Sequence, residues 1–532
     1  MEPSPPEKRG MRGEESLMTL IVLKAVGSLM LQSQTEEWFS VGDWSYIAIA
    51  GCLVLQVLAV YNFPVRKKDG HSEISLFRPG VSCGVHCVLL VPLAVLAEAL
   101  PAPSSETGNS ERLPEVTFLL ATGCGMLLLV PSQLKLKNSI LYFVLVISSS
   151  VFLMLSCFYA GGFLMPWLIG FVVVMCTAYY LPTMCPLSFT FGELSVVCHI
   201  LGSAIFRMVS WMDVFAFDER RPVVTHELYV YNFISVLLLF VTLASVLVFS
   251  WDWCDNIIPF ILVYVACALM AIGTLMFLTD HQPLLWLFVF IFGENRRISL
   301  LVWWSAVAVI TIIGFTLYTQ HLSTNPSGKG NRASTTARKV FHMVVVGVYV
   351  PGLAVDPFFL LLASVVAFAV LCVLEVSRLI NVQWLGSAVE NSFRVFVDDR
   401  DQGPVLLTHV YLLVGLSLPL WLSHRIVVGD IRNYCGVISL GIGDTVACVV
   451  GMRYGNTKWP GTKKSVQGTL ASVFAQLVFI IFSFYVGWLE NLSWLNTVFA
   501  VLVSSVFEAF VSQIDNLVLS LFMMAALPSI RL

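Results

Sequence analysis

The chain has 532 residues, 58% of them hydrophobic and only 12% charged, with a net charge of −3. Soluble domains carry about 25% charged and about 45–50% apolar residues, so an ordinary soluble protein is excluded, and the lack of a basic stripe argues against nucleic acid as a partner. The apolar residues come in runs of about 20, the length that crosses a hydrocarbon core about 30 Å thick. They predict an all-α fold, a polytopic transmembrane helical bundle with no soluble domain.

The first 20 residues are polar and proline-bearing, and the apolar run that follows is interrupted by Lys24. It ends without a small-residue cleavage site and reads as an uncleaved first span. Predicted spans then cover 17–32, 44–63, 81–100, 116–132, 139–158, 161–181, 192–213, 228–250, 257–278 and 298–319. Pro283 to Phe292, "PLLWLFVFIF", is too short to cross and belongs in the interface or re-enters. Further spans follow at 340–355, 357–376, 405–423, 434–452, 469–489, 495–512 and 517–530. Several are weak, so the expected total is about 14–17 crossings. The thirteen cysteines are scattered through the apolar runs. No paired C-x-x-C supports zinc.

The chain divides near residue 320. Loops in 1–320 carry no recognisable chemistry, and that region reads as a membrane scaffold of unknown role. Region 321–532 has clustered ionisable groups and reads as a membrane catalytic domain. If loop 322–339 faces one side, that side receives eleven basic residues of this region against two, Arg425 and Arg432, on the other. The positive-inside rule makes the richer side cytoplasmic.

The unusual residues gather on that face. "TTARKVFH" brings Arg338, Lys339 and His342, and "LEVSR" brings Glu375 and Arg378. "VDDRDQGPVLLTH" brings Asp398, Asp399, Arg400 and Asp401, then Thr408 and His409. Glu508, Gln513, Asp515 and Asn516 close the set. Lysines and arginines alone would serve as topology anchors, and the acidic loop alone as a solvated turn. Asp444 differs, lying about two turns inside its span behind Gly441 and Gly443. An unpaired carboxylate there costs at least ~2.5 kcal/mol, and intramembrane ionisable groups by default mark function.

Beyond Asp444 runs "GNTKWPGTKKSVQGT". Gly455, Gly461 and Gly468 let backbone approach an anion, and Lys463 and Lys464 supply positive charge. Pro460 stiffens the turn, and Trp459 is suited either to stacking on a base or to sitting at the interface. The glycine spacing is not that of a Walker loop. A cationic phosphate loop beside carboxylates suited to a hard divalent cation points to nucleotide-dependent phosphoryl transfer at a membrane surface.

"ARKVFH", "LEVSR", "DDRDQGPVLLTHVYLL", "GIGDTVA", "WPGTKKSVQGT" and "EAFVSQIDNL" together resemble the dolichol kinases in order and spacing, over Ala337 to Leu517. Before that stretch the likeness is one of hydropathy, with "PLLWLF" also similar. The resemblance implies an endoplasmic-reticulum enzyme that moves the γ-phosphoryl group of CTP to dolichol, giving the lipid carrier for protein glycosylation and GPI-anchor synthesis. It maps the CTP-binding stretch onto Gly455 to Leu470, with Gly455, Trp459, Pro460, Gly461, Thr462, Lys463, Lys464, Ser465, Gln467, Gly468 and Thr469 as the binding residues. Where that family usually has Lys-Lys-Thr-x-Glu-Gly, this chain has Ser465 and Gln467. If the family's Glu ligates metal, the change weakens metal binding; if it hydrogen-bonds the loop or the cytidine, Gln suffices.

The expected roles follow. Lys463, Lys464 and the loop amides hold the triphosphate, and Arg338 or Lys339 covers transition-state charge. Asp444 and Asp515 hold a divalent cation, Mg²⁺, while His342 or Asp399 orients or deprotonates the hydroxyl. The competing readings are a kinase for another isoprenoid alcohol, a CTP-dependent phospholipid cytidylyltransferase and, further off, a transporter. The transporter reading is weakened by the absence of internal repeats.

Overall fold

The computed structural model describes residues 13–33, 41–61, 77–78, 84–99, 112–133, 164–217, 226–279, 282–324, 335–394, 403–423, 426–490 and 492–527. The expected span 139–158 and the acidic stretch Asp398, Asp399, Arg400 and Asp401 lie outside them. Among the described residues, extended pairing is limited to one isolated bridge between Lys458 and Ser465. Helices dominate for a physical reason: in lipid the backbone must satisfy its own donors and acceptors.

Up to residue 324 the chain forms α1 (Gly13–Ser33), α2 (Val41–Tyr61), α3 (Leu90–Ala99), α4 (Leu113–Gln133) and α5 (Leu164–Met184). It continues through α6 (Phe191–Phe217), α7 (His226–Ser250), α8 (Ile257–Thr279), α9 (Pro283–Phe292) and α10 (Asn295–Thr324). The remainder forms α11 (Thr335–Val355), α12 (Pro357–Leu379), α13 (Gln383–Arg394) and α14 (Thr408–Leu422). Last come α15 (Thr445–Tyr454), α16 (Val466–Tyr485), α17 (Trp494–Phe510) and α18 (Asp515–Ala526). Nine described helical stretches are long and apolar enough to cross a membrane, and seven shorter apolar helices of 10–17 residues accompany them. The bundle is all-α and polytopic. Its outer helices turn large apolar side chains outward, with Phe277 84% and Ile310 70% exposed, a surface suited to a lipid surround.

Local sequence sets the joints. Val355-Asp356-Pro357 ends α11 and starts α12: Asp356 accepts from the Phe359 amide at 3.0 Å. Pro357 occupies the first turn, where its missing N–H is not needed. Arg297 of α10 donates to the same Asp356 at 2.7 Å.

Two elements depart from the simple span pattern. The predicted span 434–452 opens as a π-helix over Gly436–Asp444 before α15 continues it. π segments are rare and cluster at functional sites; this one ends on Asp444. The expected last span, 517–530, is instead the 12-residue α18. At 1.5 Å per residue it rises about 18 Å, well short of a bilayer core, and Asn516 to Ala526 are all buried. It is a half-helix sealed inside protein, packed on α3, α14, α17 and the π segment.

The N-terminal helices hold the ends of these central elements. Lys24 of α1 donates to the Ala526 carbonyl at the end of α18, 3.1 Å, and to Asn496 Oδ1, 3.3 Å. Arg112 and Arg207 donate to the Leu422 carbonyl at 2.8 and 2.6 Å, serving the last carbonyls of α14 that no helix bond can reach. Both arginines pair with the buried Glu115, each at 3.0 Å. At the other end of α18, Glu14 accepts from Ser512 N at 2.9 Å and its Oγ at 3.0 Å. Glu193, paired with Arg78, accepts from Ile514 N at 3.4 Å.

Candidate active site

A cleft of about 920 Å³ lies where the starts of α11, α14 and α18 meet α15 and the loop after it. Helical spacing puts Asp444, Ala447, Cys448, Gly451, Met452 and Gly455 on one face, and all six line the cleft. A second stripe, Arg338, Phe341, His342 and Val345, comes from α11 at the same spacing, with Lys339 beside it. Asp515 and Asn516 come from the first turn of α18, Thr408 and His409 from α14.

Asp444 is the centre. Its side chain is 1% exposed. Oδ2 is paired with Lys339 Nζ and lies 3.8 Å from His342 Nε2. Oδ1 is buried without a hydrogen-bond partner among the described residues. A Cβ on Gly443 beside it would meet Gln476 Nε2 at 2.6 Å and disturb its bonds to Ser472 and Ser505. His342 Nδ1 lies 3.1 Å from the Arg338 carbonyl, and Nε2 lies 3.3 Å from Asn516 Oδ1.

The loop folds as a tight hairpin. Trp459 N donates to the Lys464 carbonyl at 3.0 Å, Thr462 N to the Trp459 carbonyl at 3.1 Å, and Val466 N to the Thr457 carbonyl at 2.9 Å. Pro460 and then Gly461, at φ +73°, occupy the two central positions of a type II turn. The turn sets Lys464 inward, paired with the buried Glu508 and 3.9 Å from Asp515. Burial opposes the charge on Lys464, but Glu508, Asp515 and Asp444 outweigh it and raise its pKa above the ordinary lysine value. Lys458 and Lys463 also line the cleft and are exposed.

A family model described as "Dolichol kinase" matches residues 164–414. By sequence, the chain is similar to the dolichol kinases. The human "Dolichol kinase" is 34% identical over 301 residues, 55% of this chain and 56% of the relative. The mouse protein of that name is 36% identical over 255 residues, 46% and 48% of the two chains. That of Saccharomyces cerevisiae is 34% identical over 216 residues, 40% and 37%. The chain thus matches about half the length of the curated mammalian relatives. No solved structure matches. The family match begins at residue 164, so the likeness before Ala337 goes beyond hydropathy and takes in α5 to α10.

Relative to the expected dolichol-kinase site, the structure brings Arg338, Lys339, His342, Asp444, Gly455, Lys463, Lys464, Ser465 and Asp515 to one cleft. Asp399 lies outside the described residues. Trp459, Pro460, Gly461, Thr462, Gln467, Gly468 and Thr469 do not line the cleft wall. Each has another contact or place. Trp459 donates to Thr469 Oγ1 at 3.0 Å and lies beside Phe510, ring centres 5.4 Å apart and planes tilted by 58°. Pro460 and Gly461 form the exposed tip, and Thr462 Oγ1 accepts from Lys464 N at 3.2 Å. Gly468 is small because a Cβ would meet the Ala447 carbonyl at 2.6 Å; it brings α16 against α15. Gln467 accepts from Thr457 N at 3.2 Å and donates to its hydroxyl at 3.3 Å. Of the two alternatives for Glu-to-Gln, this geometry is that of a loop hydrogen bond. Ser465, besides lining the cleft, caps α16 through Gly468 N at 3.2 Å.

Glu375 and Arg378 also stay out of the cleft. They pair at 2.6 Å, Arg378 reaches Glu390 at 2.9 Å, and Glu375 accepts from Leu406 N at 2.6 Å. That clip ties α12, α13 and the approach to α14 together. Sequence reasoning passed over Lys458 and Asn516 as site residues. Asn516 adjoins Asp515, but its contact with His342 depends on a half-helix that no hydropathy plot shows.

The residues fit a divalent cation. Among the described residues no group of three or more His, Cys, Asp or Glu is arranged to hold a metal by itself. Mg²⁺, however, is usually held by one or two carboxylates together with substrate phosphates and water. The orphaned Asp444 Oδ1, with Asp515 across the cleft, offers that partial set.

Proposed function

We propose that the chain transfers the γ-phosphoryl group of CTP to the hydroxyl of dolichol, giving dolichyl phosphate for protein glycosylation and GPI-anchor synthesis. The reaction takes place at the cytosolic face of the endoplasmic-reticulum membrane. The observation that carries this reading is Asp444, buried in the membrane domain yet opening on a cleft with five cationic side chains, Arg338, Lys339, Lys458, Lys463 and Lys464. Phosphoryl transfer depends mainly on positioning and on neutralising charge, and this is a site built for charge neutralisation. The cytosolic orientation rests on the excess of basic residues in the loops of the cleft side.

Each residue then has work to do. Lys463 and Lys458, exposed at the cleft's mouth, meet the triphosphate first. Lys464, whose charge is preserved by its acidic neighbours, holds it within reach of Asp444. Lys339 exchanges its carboxylate partner for phosphate oxygen. Asp444 and Asp515 would hold Mg²⁺, which when bound neutralises charge on the β- and γ-phosphates. His342, with Nδ1 beside the Arg338 carbonyl and Nε2 3.3 Å from Asn516 Oδ1, is placed to orient the acceptor's hydroxyl.

The test is direct. Detergent-solubilised protein is given dolichol and γ-labelled CTP, ATP or GTP in turn. Label in the lipid from CTP, with CDP released, supports the reading. Release of pyrophosphate, or no labelled lipid, defeats it.

A further inference from the structure

The cleft has two unlike ends, and the phosphate chemistry uses only one. Along the α11 stripe the lining runs Arg338, Phe341, His342, Val345, so its polar groups end at His342 and Val345 lies about 10 Å deeper than Arg338 at 1.5 Å per residue. Ala367 and Val370 of α12 and Leu412 and Leu413 of α14 complete an apolar wall. Val370 lines the cleft and is nevertheless 52% exposed, and Ala367 is exposed too. Val366, one turn before Val370, is 43% exposed and outside the cleft lining, so the wall reaches the outer surface of α12 here and leaves an opening. It lies about 13 Å from the end of α12 at Leu379, within the hydrocarbon depth. The exposed lysines, Lys458 and Lys463, stand at the other end. One mouth faces water and the other faces lipid.

We propose that the wall formed by Phe341, Val345, Ala367, Val370, Leu412 and Leu413 is the groove by which a polyprenyl alcohol reaches the site sideways from the bilayer. Its first isoprene units lie along α11 and α12, and its hydroxyl meets His342 and Asn516. This rests on the phosphotransfer reading above. The occupant follows from continuity: the apolar wall runs without a break into the polar cleft, so its ligand joins a long apolar chain to one polar end. A nucleotide has no use for this wall.

Two measurements test it. In Val370→Trp the indole fills the opening, so KM for a long polyprenyl alcohol should rise about tenfold or more, with KM for CTP within about twofold of wild type. Independently, a prenyl alcohol bearing a diazirine near its hydroxyl should, on irradiation of wild-type protein, label 338–345, 367–371 and 408–413. Wild-type kinetics in the variant, or label confined to other helices, overturns the groove. If Val370→Trp does not accumulate, the labelling of wild type decides alone. Label on this wall with no phosphoryl transfer to any alcohol would leave the groove standing and sink the kinase reading.

Discussion

Asp444 and Lys464 do different work, and their substitutions should separate. Asp444→Asn keeps size and removes the charge that offers Oδ1 to a cation. Transfer should fall at least about 100-fold, since a transition-state contact worth about 2.7 kcal/mol corresponds to that factor. The protein should still accumulate. Lys464→Ala leaves Glu508, whose side chain is 3% exposed, without its partner, and breaking such a pair costs about 3–5 kcal/mol. Adding Glu508→Gln should restore the thermal midpoint in detergent but not the activity. Recovery of both would show that Lys464 matters only for folding. Because its acidic neighbours raise the Lys464 pKa above the unfolded value, the stability it contributes is fully present below about pH 10.4. It is lost only as pH rises through the higher folded value. No loss of stability between pH 7 and 9 should trace to this group.

At the scale of elements, the loop-to-α16 joint and the α13 clip are the places where one change should tell. Gly468→Val would drive a side chain into the Ala447 carbonyl, backbone that cannot move aside. Overpacking of this kind costs about 1–3 kcal/mol, read as a lower melting midpoint and weaker CTP binding. Burial works to raise the Glu390 carboxyl pKa, but hydrogen bonds from Arg378 and Arg394 outweigh it and hold it below the ordinary glutamate value. The sign is that of a depressed carboxylate. Its contribution is present above about pH 4.3 and is lost as pH falls through the folded value. Acidification to below pH 4 should therefore speed hydrogen exchange in α13 before α16, and Glu390→Gln should abolish the difference. Most of the elements that line the cleft were legible in sequence. Arg338, Lys339 and His342 share a helical face by spacing alone, and Trp-Pro-Gly-Thr announces its turn. The π-helix was not legible, though Gly441 and Gly443 hinted at loosened backbone. The contacts of Trp459 were not legible either: its partners, Thr469 and Phe510, are ten and 51 positions away.

At the scale of the whole molecule, residues before 320 serve the later ones. The turn that aims Asp515 and Asn516 is clasped by Glu14 and Glu193, and the buried end of α18 is met by Lys24. Glu193→Ala strands Arg78 in apolar surroundings and frees Ile514. It should reduce transfer and stability together, whereas Glu14→Gln, which keeps an acceptor for Ser512, should be close to wild type in both. Wild-type transfer in Glu193→Ala would show that the clasp is not needed for catalysis.

Sequence by itself determined that this chain lives in a membrane, and it pointed to ionisable groups between Arg338 and Asp515 that could handle a triphosphate. Hydropathy and spacing are local properties, and they survive without coordinates. Only the tertiary structure decided that Asp444 meets Lys339, that Lys464 turns to Glu508, that α18 stops halfway, and that the N-terminal helices hold its ends. Those contacts join residues 44 to 502 positions apart, and no local pattern encodes which distant partner satisfies a buried charge.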